Sequence, residues 1–133
     1  MTYIKWDDKN SVGVRIIDEQ HKHFVGLLNA LYDSLKVKDI NKISRIVEDL
    51  MSYADFHFKT EEKYFDKFKY EDADAHKAAH KKLIAEVQTF LNRKDDPVIV
   101  GFDLLYFMER WFLIHFKGTD IKFAKTFNQN GLK

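Results

Sequence analysis

Apolar residues recur at alternating intervals of three and four along most of the chain, and four separate helical stripes follow from that spacing. The first is His21, Phe24, Leu28, Leu31 and Leu35, on a helix predicted from Asp18, read as its N-cap, to about Lys36. Asp39 opens a long second helix whose inner positions are Ile43, Val47, Leu50, Ala54, His57, Glu61, Tyr64 and Phe68. Asp72 opens a third, with Ala73, His76, His80, Leu83, Val87 and Phe90 on one face. Asp96 and Pro97 form a cap and first-turn pair for a fourth, which carries Leu104, Met108, Trp111 and His115 inward and stops at Gly118. A short last helix runs from about Asp120 to Phe127, and an irregular arm with scattered anchors (Tyr3, Ile4, Trp6, Val12, Val14, Ile16) precedes the first.

Connections of a few residues between helices of about twenty favour antiparallel neighbours. The expected fold is therefore all-α, an up-down-up-down antiparallel four-helix bundle. One domain is expected over 1–133, with the arm at about 1–17, the bundle at about 18–117 and a C-terminal segment at about 118–133. Composition agrees: five Gly and one Pro leave too little turn chemistry for a sandwich or barrel of many short strands.

Twenty-two basic against 21 acidic side chains leave a net charge of +1, so no overall field draws the chain to nucleic acid or anionic lipid. Charges at Lys5, Asp7, Asp8 and Lys9 occupy the place of a signal peptide's apolar run, which points to the cytoplasm. The apolar stretch from Val98 to Phe116 is interrupted by Asp103, Glu109 and Arg110, and reads as a core helix rather than a membrane span. With no Cys, thiolate zinc sites, cysteine-ligated clusters and cysteine nucleophiles are excluded; any metal must be held by nitrogen and oxygen.

Such donors are present on the inner stripes. A single inward histidine is ordinarily a hydrogen-bonded core residue. Here five of six are inward, and antiparallel packing brings His21, His57, His76, His80 and His115 to one end of the bundle. The sixth, His23, points about 200° around the helix from His21 and is expected at the surface without a role. His76 and His80 are four apart, so their rings can converge on one ion, and His57 with Glu61 repeats the spacing. A carboxylate at an inner position is costly to bury without a cation opposite it. Asp120 follows at the break around Gly118 and can turn back toward the same end. Five nitrogens and two carboxylates exceed one tetrahedral zinc and suit two octahedral-leaning ions bridged by the carboxylates, with iron as the first choice. No glutamate stands three before a histidine, so the Glu-x-x-His pattern of ferritin-like sites is absent.

The run from Ile17 to His21, the string from His57 to Glu62, the pair His76 and His80, and His115 with Asp120 resemble the hemerythrins, and length and arm are those of a single-domain bacterial member. The resemblance implies that His76, His80 and His115 hold one iron, His21 and His57 the other, and that Glu61, Asp120 and an oxo or hydroxo group bridge them. It implies an open position on the second iron, where dioxygen binds and is held as hydroperoxide. Phe58, Trp111 and Phe112 are candidates for the wall that excludes water from that position. The function expected is reversible, non-enzymatic dioxygen binding for storage, delivery or scavenging. A di-iron enzyme acting on nitric oxide or peroxide, and an oxygen or redox sensor acting through a separate partner, share the same ligands. The stripes predict that His23→Ala leaves metal content unchanged while His80→Ala loses it, as metal analysis of purified variants would record.

Overall fold

The structure, a computed structural model, describes residues 4–115 and 120–133, the Asp120 side chain excepted. Tyr3, Gly118 and the side chain of Asp120, all named above, lie outside the described residues. Among the described residues five α-helices follow one another: α1 (Arg15–Lys36), α2 (Ile40–Lys67), α3 (Ala73–Leu91), α4 (Pro97–Ile114) and α5 (Asp120–Gln129). The first four form the bundle, with α1 packed on α2 and α4, and α3 on α2 and α4. No described helix is long and apolar enough to cross a membrane.

The inner stripes bury as their spacing requires, with Leu28, Leu31, Leu35, Ile43, Leu50, Leu83, Val87, Leu104 and Met108 among the core residues. Gly101 lets α4 close on α1, since a Cβ there would stand 2.5 Å from Leu35 Cδ2. Phe65 from α2 meets Phe123 and Phe127 from α5 at centroid distances of 5.4 and 5.8 Å. The last helix therefore lies against α2 at the histidine end of the bundle.

The start of α1 departs from expectation. The helix begins at Arg15, with Val14 in the cap position making no side-chain bond, so Asp18 is inside the first turn rather than at its edge. Its carboxylate still serves the helix N-terminus, where negative charge is favoured, but its oxygens accept from the arm: the Val12 N–H at 2.8 Å and the Ser11 hydroxyl. The arm is fastened again where the Asn29 side chain makes reciprocal bonds of 2.7 Å with the Ile4 N–H and carbonyl. Val12, Val14 and Ile17 are buried, while Ile16, expected as an anchor, is 39% exposed because Ile17 holds the inner position of that turn. Asp39 and Asp96 cap α2 and α4 by accepting from Lys42 N–H and Val98 N–H. Asp72 stands at the start of α3 without a side-chain cap bond.

Three helices end in the same way. After α1 the Asp39 N–H reaches the Ser34 carbonyl, after α2 the Tyr70 N–H reaches Phe65, and after α5 the Leu132 N–H reaches Phe127. Each is the six-to-one bond of a Schellman cap, which places the intervening residue in the left-handed region. Gly131 takes that conformation readily after α5, but the other two positions are Lys38 (φ 55°) and Lys69 (φ 51°). Lys38→Gly removes a Cβ from an exposed left-handed position. It is expected to stabilise the protein by about 0.5–1 kcal/mol, net of the added freedom of the unfolded chain, read as a higher denaturant midpoint at unchanged slope.

Candidate metal centre

Antiparallel packing brings the donors together in two groups. His21, His57 and Glu61 have ligand atoms within 4.8 Å of one another, and His76, His80 and His115 form a second group under the same limit. Glu61 joins them. Its Oε1 is 2.6 Å from His57 Nε2 and 4.0 Å from His21 Nε2, while its Oε2 is 3.2 Å from His80 Nε2 and 3.5 Å from His76 Nε2. His21, His57, Glu61, His76 and His80 are all buried, and His115, the C-cap of α4, is half-buried.

Two partners of these rings, which the stripes did not reveal, determine which nitrogen of each carries its proton. The Thr60 hydroxyl donates to the Phe56 carbonyl, so it accepts from Gln20 Nε2, and Gln20 Oε1 is left to accept from His57 Nδ1 at 2.6 Å. The lone pair of a neutral His57 ring is then on Nε2, facing Glu61 and His21. Across the site, the exposed side of His80 repeats the device: Glu62 Oε2 stands 3.0 Å from His80 Nδ1, which turns the His80 Nε2 lone pair toward Glu61. Gln20 is in the run before His21 and Glu62 is the last residue of the string from His57, but helical phase alone does not show what either touches. His23 is exposed and stacks on Tyr53, with ring centroids 4.1 Å apart.

This donor set fits metal ions. His21 Nε2 and His57 Nε2 are 3.2 Å apart, close to the roughly 3 Å expected for two imidazoles bound at right angles to one ion at about 2.1 Å. Both Glu61 oxygens and His80 Nε2 are buried without a hydrogen-bond partner of good geometry. Electron-pair donors crowded in this way repel unless positive charge lies between them. Burial by itself pushes the Glu61 carboxyl up, but with protons in place of metal on the facing rings the charge of His57 and the close contacts with His57, His76 and His80 outweigh it and hold the group well below the ordinary carboxylate range. Glu61 is thus an anion within 4.0 Å of four imidazoles, two from each group, and could face a cation in each. Asp120, expected as a second bridge, begins α5, and its side chain lies outside the described residues.

The rings around the donors are not symmetric. On the α3 and α4 side, Phe58 stacks on His80 at 3.9 Å, Trp111 on His115 at 4.7 Å, and Phe65 and Phe123 set their edges or faces against His76 at 4.9 and 5.3 Å. On the α1 side a small cavity of about 10 Å³ remains, bounded by His21, Phe24, Tyr53, Ala54, His57, Phe58 and Trp111. Phe58 and Trp111 are both among the residues that bound it. Phe112 is one layer back, buried and stacked at 5.8 Å on Phe24, which does line the cavity. Phe24 is on the first predicted stripe, but Phe65 and Phe123 are on none; Phe65 is buried where Tyr64 and Phe68, read as inward, are half-buried.

The tautomer argument is testable. Gln20→Leu keeps the bulk of the side chain and removes the acceptor for His57 Nδ1, so metal affinity should fall about 10–100-fold with helicity retained. The check is metal content after dialysis against a graded chelator, with His23→Ala as the variant expected to match the parent chain.

Comparison with known proteins agrees with this geometry. The model of the hemerythrin HHE cation binding domain matches residues 12–126. A bacteriohemerythrin of Pseudomonas aeruginosa (strain LESB58) is 31% identical over 120 residues, which cover 90% of this chain and 78% of the relative. A hemerythrin-like protein of Naegleria gruberi is 34% identical over 119 residues, covering 89% and 88%. Among solved structures, a leucine-to-alanine mutant of hemerythrin has a TM-score of 0.83 at 25% identity, over 95% of this chain and 98% of that one. Since the match runs from the arm into α5 and takes in every donor described above, the chain belongs to the hemerythrin family of metal-binding proteins.

Proposed function

We propose that this protein binds dioxygen reversibly at a pair of non-haem irons and does not turn it over. The observation that carries the reading is the position of the free space. The cavity touches His21 and His57, the group with two imidazoles, and none of His76, His80 and His115, the group with three. Space for a small ligand therefore lies beside the ion with fewer protein donors. In this reading His21 and His57 hold one iron, His76, His80 and His115 the other, and Glu61 bridges them, with Asp120 assigned as the second bridging carboxylate. When bound, the iron pair supplies the two electrons that dioxygen needs to be held tightly yet released.

The residues of this chain do the rest. About 10 Å³ is near the minimum for one water-sized guest, so the cavity selects for a small ligand. Its exposed wall is apolar, made by Phe24, Ala54, Phe58 and Trp111 together with ring edges, so water gains no hydrogen bonds by entering. Gln20 holds the His57 proton on Nδ1, away from the nitrogen that faces Glu61, and Glu62 does the same for His80. Proton delivery to a reduced ligand, the step that would convert a binder into an oxidase or peroxidase, finds no Asp or Glu among the residues lining this cavity, and Tyr53, which does line it, is a phenol that burial makes a weaker acid still.

Anaerobic titration of the iron-loaded protein with dioxygen should give one dioxygen per two irons, reversed by evacuation. Steady oxygen consumption under reductant would instead assign an enzyme. Phe112→Ala, which frees Phe24 to move off the cavity, should shorten the lifetime of the oxygenated form while iron content stays the same; its cost of about 3–5 kcal/mol requires that folding be verified first. Removing the metal leaves Glu61 and the imidazoles facing one another. The melting temperature should then drop by about 10 °C or more, with amide exchange rising first at the histidine end.

A further inference from the structure

The outer face of α4 is unlike that of the other helices. Of the eighteen residues from Pro97 to Ile114 only Asp103, Glu109 and Arg110 are charged, and Ile99, Tyr106, Leu113 and Ile114 are 55, 53, 47 and 67% exposed. Leu104, Leu105, Met108 and Phe112 already supply the buried side. Ile99, Asp103, Tyr106, Arg110 and Leu113 are spaced four, three, four and three apart, so they form one outward stripe. A helix on a monomer's surface ordinarily carries charge there.

Reversed, the stripe keeps its apolar ends and central aromatic and exchanges its acidic position for its basic one, so it is complementary to itself in antiparallel order. From this we infer that two copies of the chain pair through α4, antiparallel, about a two-fold axis passing beside Tyr106. That register sets Ile99 against Leu113 of the second copy and Tyr106 against Tyr106, and brings Asp103 within one residue of the level of Arg110, the stripe position beside Glu109, and it does so twice, as an isologous interface requires. A parallel pairing would set Asp103 on Asp103 and Arg110 on Arg110, so charge selects the antiparallel form. Arg110 is exposed and makes no ion pair among the described residues, whereas Asp103 engages Arg93 through Oδ2 alone, at 2.7 Å. Shape agrees with charge. A hollow of about 410 Å³ bounded by Tyr106, Glu109, Arg110, Leu113 and Ile114 lies on the C-terminal half of the stripe, opposite the place where Ile99 of the second copy would project.

The contact is small. Eighteen residues at 1.5 Å rise give a face about 27 Å long, so the area buried is below that of a standard interface and the pairing is reversible and concentration-dependent. It is independent of dioxygen chemistry, because none of the stripe residues is a metal donor.

Sedimentation of the metal-loaded protein between about 10 µM and 1 mM tests the pairing. The mean mass should climb from 15.8 kDa toward twice that value. Arg110→Glu should weaken the association at least about tenfold, and adding Asp103→Lys to it should restore the pairing, since the two reversals exchange the charges across the axis. Helicity and metal content report whether each variant is folded, and Tyr106→Glu provides a second break at the axis itself. A parent chain that stays at 15.8 kDa up to 1 mM overturns the inference, as does a mass rising past two copies, or an Arg110→Glu variant that pairs as well as the parent.

Discussion

A carboxylate buried among four imidazoles is the constraint from which the rest of this molecule follows. Glu61 is 1% exposed, and its two oxygens address both histidine groups, Oε1 toward His57 and His21, Oε2 toward His80 and His76. Such an anion is tolerated in an apolar interior only with compensating positive charge, and no Lys or Arg is on the inner stripes to supply it. The bundle therefore folds around a place for cations. Four helices must contribute to it at one level, which is why the chain needs short connections and antiparallel order rather than any other arrangement of the same helices.

Once the donors converge, their orientation is decided by a second set of polar groups that spans elements. The path from the Phe56 carbonyl through Thr60 and Gln20 to His57 links α1 to α2, and the Glu62 contact links α2 to α3. Each ends on the nitrogen that faces away from Glu61. The proton and the lone pair of each ring are thereby assigned before any ion arrives, which lowers the reorganisation that binding would otherwise require. Aromatic packing completes the environment unequally: rings fill the space beside His76, His80 and His115, and a small apolar void is left beside His21 and His57.

Stability and chemistry are consequently concentrated at opposite ends. Away from the histidines the core is aliphatic, with Leu31, Leu35, Ile43 and Leu104 buried and Gly101 allowing a close approach of α4 to Leu35. Near them it is aromatic, and α5 adds Phe123 and Phe127 where the four-helix bundle alone would be open. The clamp between Ile4 and Asn29 and the bonds of Asp18 hold the arm along α1 without intruding on the donors.

Helical phase is a local property of sequence, and what depends on phase was legible: the order and sides of the helices, the inward set His21, His57, Glu61, His76, His80 and His115, and the outward turn of His23. Asp39 and Asp96 were equally legible, since a side-chain cap bonds only to its own first turn. Features that depend on a neighbouring element were not. Asp18 was read as a cap because the arm that claims its carboxylate has no periodic signal, and Lys38 and Lys69 give no hint of left-handed caps because lysine, unlike Gly131, carries no preference for that region. Gln20 and Glu62 acquire their partners only when α1, α2 and α3 stand side by side, and whether Phe112 or Phe24 faces the void is set by how two helices interdigitate. By itself the sequence determined which donor residues turn inward; the tertiary structure decided which nitrogen of His57 and of His80 carries the proton and beside which histidine group a small cavity remains, because both are contacts across helices rather than along them.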